Sequence, residues 1–363
     1  RITNTPAQSA ALALNAGCDL NCGDTYLCIL GALKDGLITE EQMRTACVRL
    51  MKTRMKLGIL ARSDEEARQK TAQYDAIPYT ENDTKEHRML ALAAALRSAV
   101  LLKNDGVLPL HKEALATIGV IGPTADLKTV LEGNYCGTSS EYVTNLTGIR
   151  REAGRRILYS QGSHLFRDAM SVLSMPDDRL AEAAAVVRHA DVTILCLGLD
   201  ATLEGEEGDT GNMFASGDKV SLQLPETQLR LAKQVFDTAE EAGKKVILIL
   251  NAGSAIDLTF AKDRANAILT CWYSGECGGE ALADILFGNA CPSGRLPITF
   301  YKDNEQPDIT DYSMKNRTYR YYRGEAVYPF GYGLSYTTFT YTLSGEKTDF
   351  DLSLPPDYAT WQE

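Results

Sequence analysis

Residues 195–209 read LCLGLDATLEGEEGD, and the fold turns on how this stretch is read. Its first half belongs to a nearly continuous apolar run, Val192, Ile194, Leu195, Cys196, Leu197 and Leu199. A run without alternation predicts a parallel strand covered on both faces, because a half-solvated strand would place a polar residue at every second position. Beyond Gly198 the chain turns polar, and Glu204, Glu206, Glu207 and Asp209 fall within six positions. They would lie just past the carboxyl end of the strand, where open α/β sheets place their ligands. Crowded carboxylates repel one another, and one can be held protonated for general-acid work. The same residues also read as a solvated acidic turn. The local sequence leaves both open.

Working outward, further strand patterns occupy 116–122, 155–162, 244–251, 265–273 and 295–301, besides 191–199. Helical patterns at 83–103, 178–190, 225–242 and 278–288 fall between them. Strands alternating with helices imply an α/β fold with a mostly parallel sheet, covered on both sides and joined by right-handed crossovers. Two glycine-containing strand exits, at 119–122 and 275–279, lack the spacing of a dinucleotide fingerprint, and no phosphate-loop pattern occurs. Tight strand-to-helix turns account for those glycines.

The chain has 363 residues, 44% of them hydrophobic and 23% charged, as in ordinary globular protein of up to two domains. A net charge of −11 disfavours nucleic acid and anionic membrane as partners, since both would be repelled. A neutral substrate fits better. No apolar run reaches the roughly 18 residues of a membrane span. Nine scattered cysteines are odd in number, and Cys47, Cys196 and Cys271 sit in apolar segments as small buried hydrophobes would. No histidine or second cysteine pair joins Cys18 and Cys22 into a zinc pattern, so neither metal nor cofactor is expected. A reducing compartment, and hence a cytoplasmic location, is the simpler expectation.

Residues 7–17 read as a helix ending at Gly17, followed by a short strand and loop at 18–27. Two further helical patterns follow at 24–37 and 39–58, the second with Thr39 as its N-cap. One strand and three helices cannot close a core, so residues 1–60 look like the tail of something larger. Residues 61–82 read as a surface linker, 83–341 as the main domain and 342–363 as a tail or the start of a further domain. The tyrosine-rich segment 317–341 suits either a sugar-stacking rim or a strap packed on the domain, and its Gly331 and Gly333 favour the strap.

Taken in order, several motifs are together distinctive. They are AGCDLNCGDTYL at 16–27, LLKNDGVLPL at 101–110, LEGNYCGTSSEYVTNLTGI at 131–149 and TLEGEEGD at 202–209. LILNAGSAIDL at 248–258, YSGECGGEALADILFGNACPSGRLPITF at 273–300 and the tyrosine-rich segment complete the set. With them the chain resembles glycoside hydrolase family 3, and its β-xylosidase-like subgroup most. The resemblance implies a six-stranded, mostly parallel α/β sandwich at 83–341, preceded at 1–60 by the last unit of a (β/α)8-type barrel.

It also implies retaining hydrolysis by two carboxyl groups, which in such enzymes stand about 5–5.5 Å apart. The acid/base is a glutamate on a sandwich-domain loop, and two registers of the family's loop pattern select Glu206. Glu204 is the runner-up and Glu207 third. Relatives commonly carry an arginine after the loop's aspartate, where this chain has Thr210. The nucleophile of the family is an aspartate in an SDW or SDC segment on the barrel, and neither segment occurs here. The resemblance therefore implies that a complementary, barrel-containing part supplies it, either on another polypeptide or lost by cleavage. Asn21 and Cys22 would follow the last barrel strand and line the sugar pocket, although Cys22 equally reads as packing beneath it. The implied substrate is an oligosaccharide or aryl glycoside with a terminal xylose, or else glucose or arabinofuranose.

Overall fold

The structure is a computed structural model that describes residues 2–60, 63–168, 175, 177–205, 219, 221–306, 308, 311–338 and 340. The chain divides into two compact units, Arg1–Thr84 and Lys85–Glu363.

In the first unit α1 (Pro6–Asn15), α2 (Ile29–Lys34), α3 (Glu40–Lys56) and α4 (Asp64–Asp75) are helical. Thr39 caps α3, and the side chain of Gln42 answers on the Thr39 backbone amide, which satisfies two donors that a helix start leaves free. The expected short strand after Gly17 is absent among the described residues: 18–24 are irregular backbone with bends at 20 and 22–24. A strand needs a hydrogen-bonding neighbour, and this unit offers those residues none. The supposed linker contains α4, opened by Ser63, whose hydroxyl accepts from the Glu66 amide at 3.2 Å. Ala11, Ala32 and Ile38 make a small apolar cluster, and Cys47 is exposed rather than buried as expected.

The second unit is built on a six-stranded sheet. Its strands are β1 (Val100–Asn104), β2 (Thr117–Ile121), β3 (Arg156–Ser160), β4 (Val192–Gly198), β5 (Lys245–Asn251) and β6 (Ala267–Thr270). The order is β1-β6-β5-β4-β2-β3, and every pairing is parallel except that of β1 with β6. The expectation of a six-stranded, mostly parallel sheet holds, with one exchange of strands. Residues 295–301 contribute only an isolated bridge from Phe300 to Tyr328, and β1 takes the sixth place. Pro297 has no amide to donate to a ladder, which explains why this apolar run does not become a strand.

Helices α5 (Lys85–Ser98), α6 (Asn145–Ala153), α7 (Asp178–His189), α8 (Glu226–Ala242), α9 (Thr259–Lys262), α10 (Gly278–Leu286) and α11 (Thr318–Tyr321) complete the unit. All seven residues of β4 are buried. Leu195 and Leu197 join a core with Val187 of α7 and Val235 and Phe236 of α8. Ile194 and Cys196 face the other way, into a core with Ile149 of α6 and Ile285 of α10. This two-sided burial is why the sequence of β4 runs apolar without alternation. On the second face α6 crosses α10 backbone to backbone, since a β-carbon on Gly148 would stand 1.8 Å from the Gly279 carbonyl oxygen.

The chain leaves β2 outward to β3 and then returns to β4 on the other side of β2. A crevice opens at such a reversal, beyond the carboxyl ends of the two strands. The acidic stretch begins there.

Candidate active site

Three strand ends shape the crevice. Beyond β2, Gly122 (φ 128°) passes so close to β4 that a β-carbon would meet the Cys196 carbonyl oxygen at 1.9 Å. At the end of β4, Gly198 (φ 153°) approaches β5 equally closely, 1.8 Å from the Asn251 carbonyl oxygen by the same measure. Gln228 on α8 holds the Gly198 peptide from both sides, accepting from its amide at 2.9 Å and donating to its carbonyl at 2.7 Å.

After Leu199 the chain folds around Asp200, which is buried at 4% exposure. One carboxylate oxygen accepts from the amide and hydroxyl of Thr202 at 3.0 and 2.6 Å, and the other accepts from Thr129 at 2.7 Å. The Asp200 carbonyl takes the Leu203 and Glu204 amides, so one helical turn forms. That turn aims Glu204 at the segment following β5.

Glu204 accepts there from the Gly253 amide at 2.6 Å and from the hydroxyls of Ser254 and Tyr273. The Gly253 amide and the Tyr273 hydroxyl share Oε2, while the Lys219 ammonium stands 3.4 Å from Oε1, the oxygen that also takes the Ser254 hydroxyl. Both side chains are largely shielded from water, at 8% exposure for Glu204 and 13% for Lys219. Burial pushes the Lys219 ammonium below its ordinary range while the Glu204 carboxylate works against the change. The Tyr273 phenol is pushed well up, first by burial and then by the neighbouring Glu204 charge. Three donors and a cation thus occupy the two oxygens of Glu204. The carboxylate ties elements together and has little room for a substrate atom.

Tyr273 reaches Glu204 because the preceding Trp272 takes a left-handed backbone conformation, φ 55°, which is unusual for so large a side chain. The Trp272 indole donates to the Ser98 carbonyl at 3.0 Å, and its own carbonyl accepts from Asn251 at 3.3 Å, two bonds that hold the turn in place.

Of the residues singled out from sequence, Glu206, Glu207, Asp209 and Thr210 lie outside the described residues. Asn21 and Cys22 belong to the first unit, where the Asn21 side-chain carbonyl accepts from the Tyr26 amide at 3.2 Å and Cys22 is exposed. Asp19 beside them pairs with Arg49 at 3.1 Å. Sequence reasoning missed Lys219, Tyr273 and Ser254 as partners of the acidic stretch. In the chain they stand 15 to 69 positions from Glu204, a separation that only the sheet closes. Among the described residues no group of three His, Cys, Asp or Glu side chains is placed to hold a metal ion. No helix among them is long and apolar enough to cross a membrane.

A doubly covered, mostly parallel sheet with buried carboxylate-bearing turns beyond its strand ends defines an α/β sandwich domain. Residues 99–336 match the model of the glycosyl hydrolase family 3 C-terminal domain, and the chain belongs to glycoside hydrolase family 3. It is 37% identical over 355 residues to β-D-xylosidase 1 of Arabidopsis thaliana, covering 94% of this chain and 42% of that protein. It is 34% identical over 348 residues to a probable exo-1,4-β-xylosidase of Aspergillus fumigatus, covering 93% and 41%. Among solved structures, a family 3 exo-β-xylosidase in complex with a xylobiose aziridine activity-based probe superposes with a TM-score of 0.75 at 30% identity. That match covers 93% of this chain and 42% of the other. A β-glucosidase from Erythrobacter marinus gives a TM-score of 0.68, also at 30% identity, covering 92% and 45%. The chain spans less than half the length of these relatives.

Proposed function

We propose that this chain is part of a retaining, exo-acting β-glycosidase that releases non-reducing terminal sugars, xylose first among them. The observation that carries the reading is the start of the acidic stretch at the switch-point crevice, in a chain whose relatives are named β-xylosidases. Glu206 is the acid/base. It protonates the glycosidic oxygen as the aglycone leaves, then takes a proton from the water that releases the glycosyl enzyme. Glu204, two positions earlier, has its oxygens committed to Gly253, Ser254, Tyr273 and Lys219, which favours Glu206 over it. The nucleophilic aspartate comes from a barrel part outside residues 1–363. Asn21 and Cys22 line the glycone pocket, where a small side chain suits a sugar without a hydroxymethyl arm. The difference is worth only about 1–3 kcal/mol in selectivity.

Replacing Glu206 by Ala tests the assignment. The rate should fall far more for a phenyl xyloside, whose leaving group needs a proton, than for a dinitrophenyl xyloside, and azide should partly restore it. An equal loss on both substrates would remove Glu206 from the role.

A β-glucosidase is the second reading, favoured by the match to the Erythrobacter marinus enzyme. Comparing aryl glucosides and arabinofuranosides with aryl xylosides on one preparation decides the glycone. A carbohydrate-binding protein without activity is the alternative of another class. Sugar binding by calorimetry with no turnover of any aryl glycoside would establish it.

A further inference from the structure

We propose that Tyr135 is a sugar-contacting specificity residue, which holds the part of an oligosaccharide that stays outside the crevice while its terminal unit is released. The inference rests on the glycosidase reading above. Tyr135 is 90% exposed and has a left-handed backbone, φ 59°. That conformation is strained for a bulky residue and costs little for glycine or asparagine. Asn134 stands immediately before it and Gly137 two positions after, so a turn here could form without an aromatic residue in the strained place. A ring that solvent reaches on nearly all sides adds little to a core either. Strain and exposure at one position point to a role outside folding.

The loop that carries Tyr135 is fastened at both ends. On the entering side the Thr129 hydroxyl donates to Asp200 at 2.7 Å, and the Leu131 carbonyl accepts from the Gly275 amide at 2.8 Å. Gly133 then lies against Tyr273, since a β-carbon on it would stand 3.3 Å from that ring. Tyr273 is the residue whose hydroxyl donates to Glu204. On the leaving side the Ser139 amide donates to the Tyr142 hydroxyl at 2.9 Å, and the Lys128 ammonium lies 3.8 Å from the centre of the Tyr142 ring. The Val143 amide donates to the Glu276 carbonyl at 2.8 Å. Residues 134–138, all exposed or nearly so, form the tip between these anchors. Tyr135 is two positions from Gly133, at most about 7 Å of chain, and so stands at the rim of the crevice. Its ring offers an apolar face to the C–H side of a pyranose and a hydroxyl for hydrogen bonds, with only two side-chain torsions to fix. It does so without charge, which suits a neutral ligand of a chain whose net charge is −11. An exo-acting enzyme encloses the unit it releases, and a ring this exposed encloses nothing. It meets the sugar units that follow.

Tyr135→Ala and Tyr135→Trp, assayed beside the parent on xylotetraose and on methyl β-xyloside, test the contact. An aromatic ring contact of this kind is worth up to about tenfold in affinity. Tyr135→Ala should raise KM for xylotetraose about tenfold more than KM for methyl β-xyloside, with kcat little changed, the pattern that lost uniform binding gives. Tyr135→Trp keeps an aromatic face and should restore most of the KM. Because the ring is exposed, the thermal midpoints of both variants should match the parent's within error.

Equal changes in KM on the two substrates, or a fall in kcat alone, overturn the proposal. So does a Tyr135→Ala midpoint well below the parent's, which would make the ring part of the fold. If the parent turns over neither substrate, the glycosidase reading falls, and calorimetry with xylotetraose then decides the ring. Binding about tenfold weaker in Tyr135→Ala supports the contact, whereas equal binding, or none by the parent, overturns it.

Discussion

Asn145 donates its side-chain amide to the Asn251 side-chain carbonyl at 2.8 Å, and both residues are buried. The same amide reaches the Thr124 carbonyl at 3.2 Å, and Asn251 passes its own amide to the Trp272 carbonyl at 3.3 Å. One chain of hydrogen bonds therefore links the segments that follow β2 and β6 and the last residue of β5 with the first turn of α6. Asn145→Ala would leave the Asn251 oxygen buried without that donor. The expected loss is about 1–3 kcal/mol, read as a lower urea midpoint at unchanged slope. An unchanged midpoint would show that water replaces the bond.

The crossing of α6 and α10 makes a sharper demand. A β-carbon on Gly148 would overlap the Gly279 backbone, whereas one on Gly137 would meet nothing within 4 Å. Gly148→Ala should destabilise by about 1–3 kcal/mol or more, because neither backbone can retreat from a packed sheet. Gly137→Ala should leave the thermal midpoint within error. Similar midpoints for the two variants would contradict the close crossing.

Asp191 shapes the acid limb of stability. Its carboxylate accepts the amides of Thr117 and Ala116 at 2.9 and 2.7 Å where β2 begins, and these backbone bonds hold it below the usual carboxylate range. The folded protein therefore binds a proton there less readily than the unfolded chain does. The contribution is complete well above the ordinary value of about 3.9 and is lost as the pH falls below it. Asp191→Asn should be less stable than the parent at pH 7, and the gap should narrow between about pH 4 and pH 2. Urea midpoints at several pH values measure this, and a constant gap would argue against the linkage. Because Asp191 is exposed, the effect is small in absolute terms.

Much of the second unit was legible in its sequence because burial on both faces writes a continuous apolar run, as at 192–199 and 245–251. β1 was not, since Val100, Leu101 and Leu102 continue the apolar pattern of α5 and only pairing with β6 makes them extended. The run at 295–301 misled for the opposite reason: apolar content alone does not reveal a missing ladder. In the first unit α4 escaped notice because its surface is polar all round, although Ser63 followed three positions later by Glu66 is a capping pattern that a sequence shows. The location of the acidic stretch could be read from the end of β4. Its partners could not, because Lys219, Ser254 and Tyr273 meet Glu204 only after the sheet has formed.

The antiparallel edge also sets an order of events during synthesis. Val100 pairs with Thr270, so β1 emerges from the ribosome long before the strand it joins. At about 5–20 residues per second the wait is roughly 10–30 s. During that time Leu101 and Leu102 have no β6 to pair with, and the edge of the sheet cannot close. Newly made chains should therefore be most vulnerable to aggregation while β1 waits, and a chaperone that shields this one segment would have the largest effect on yield.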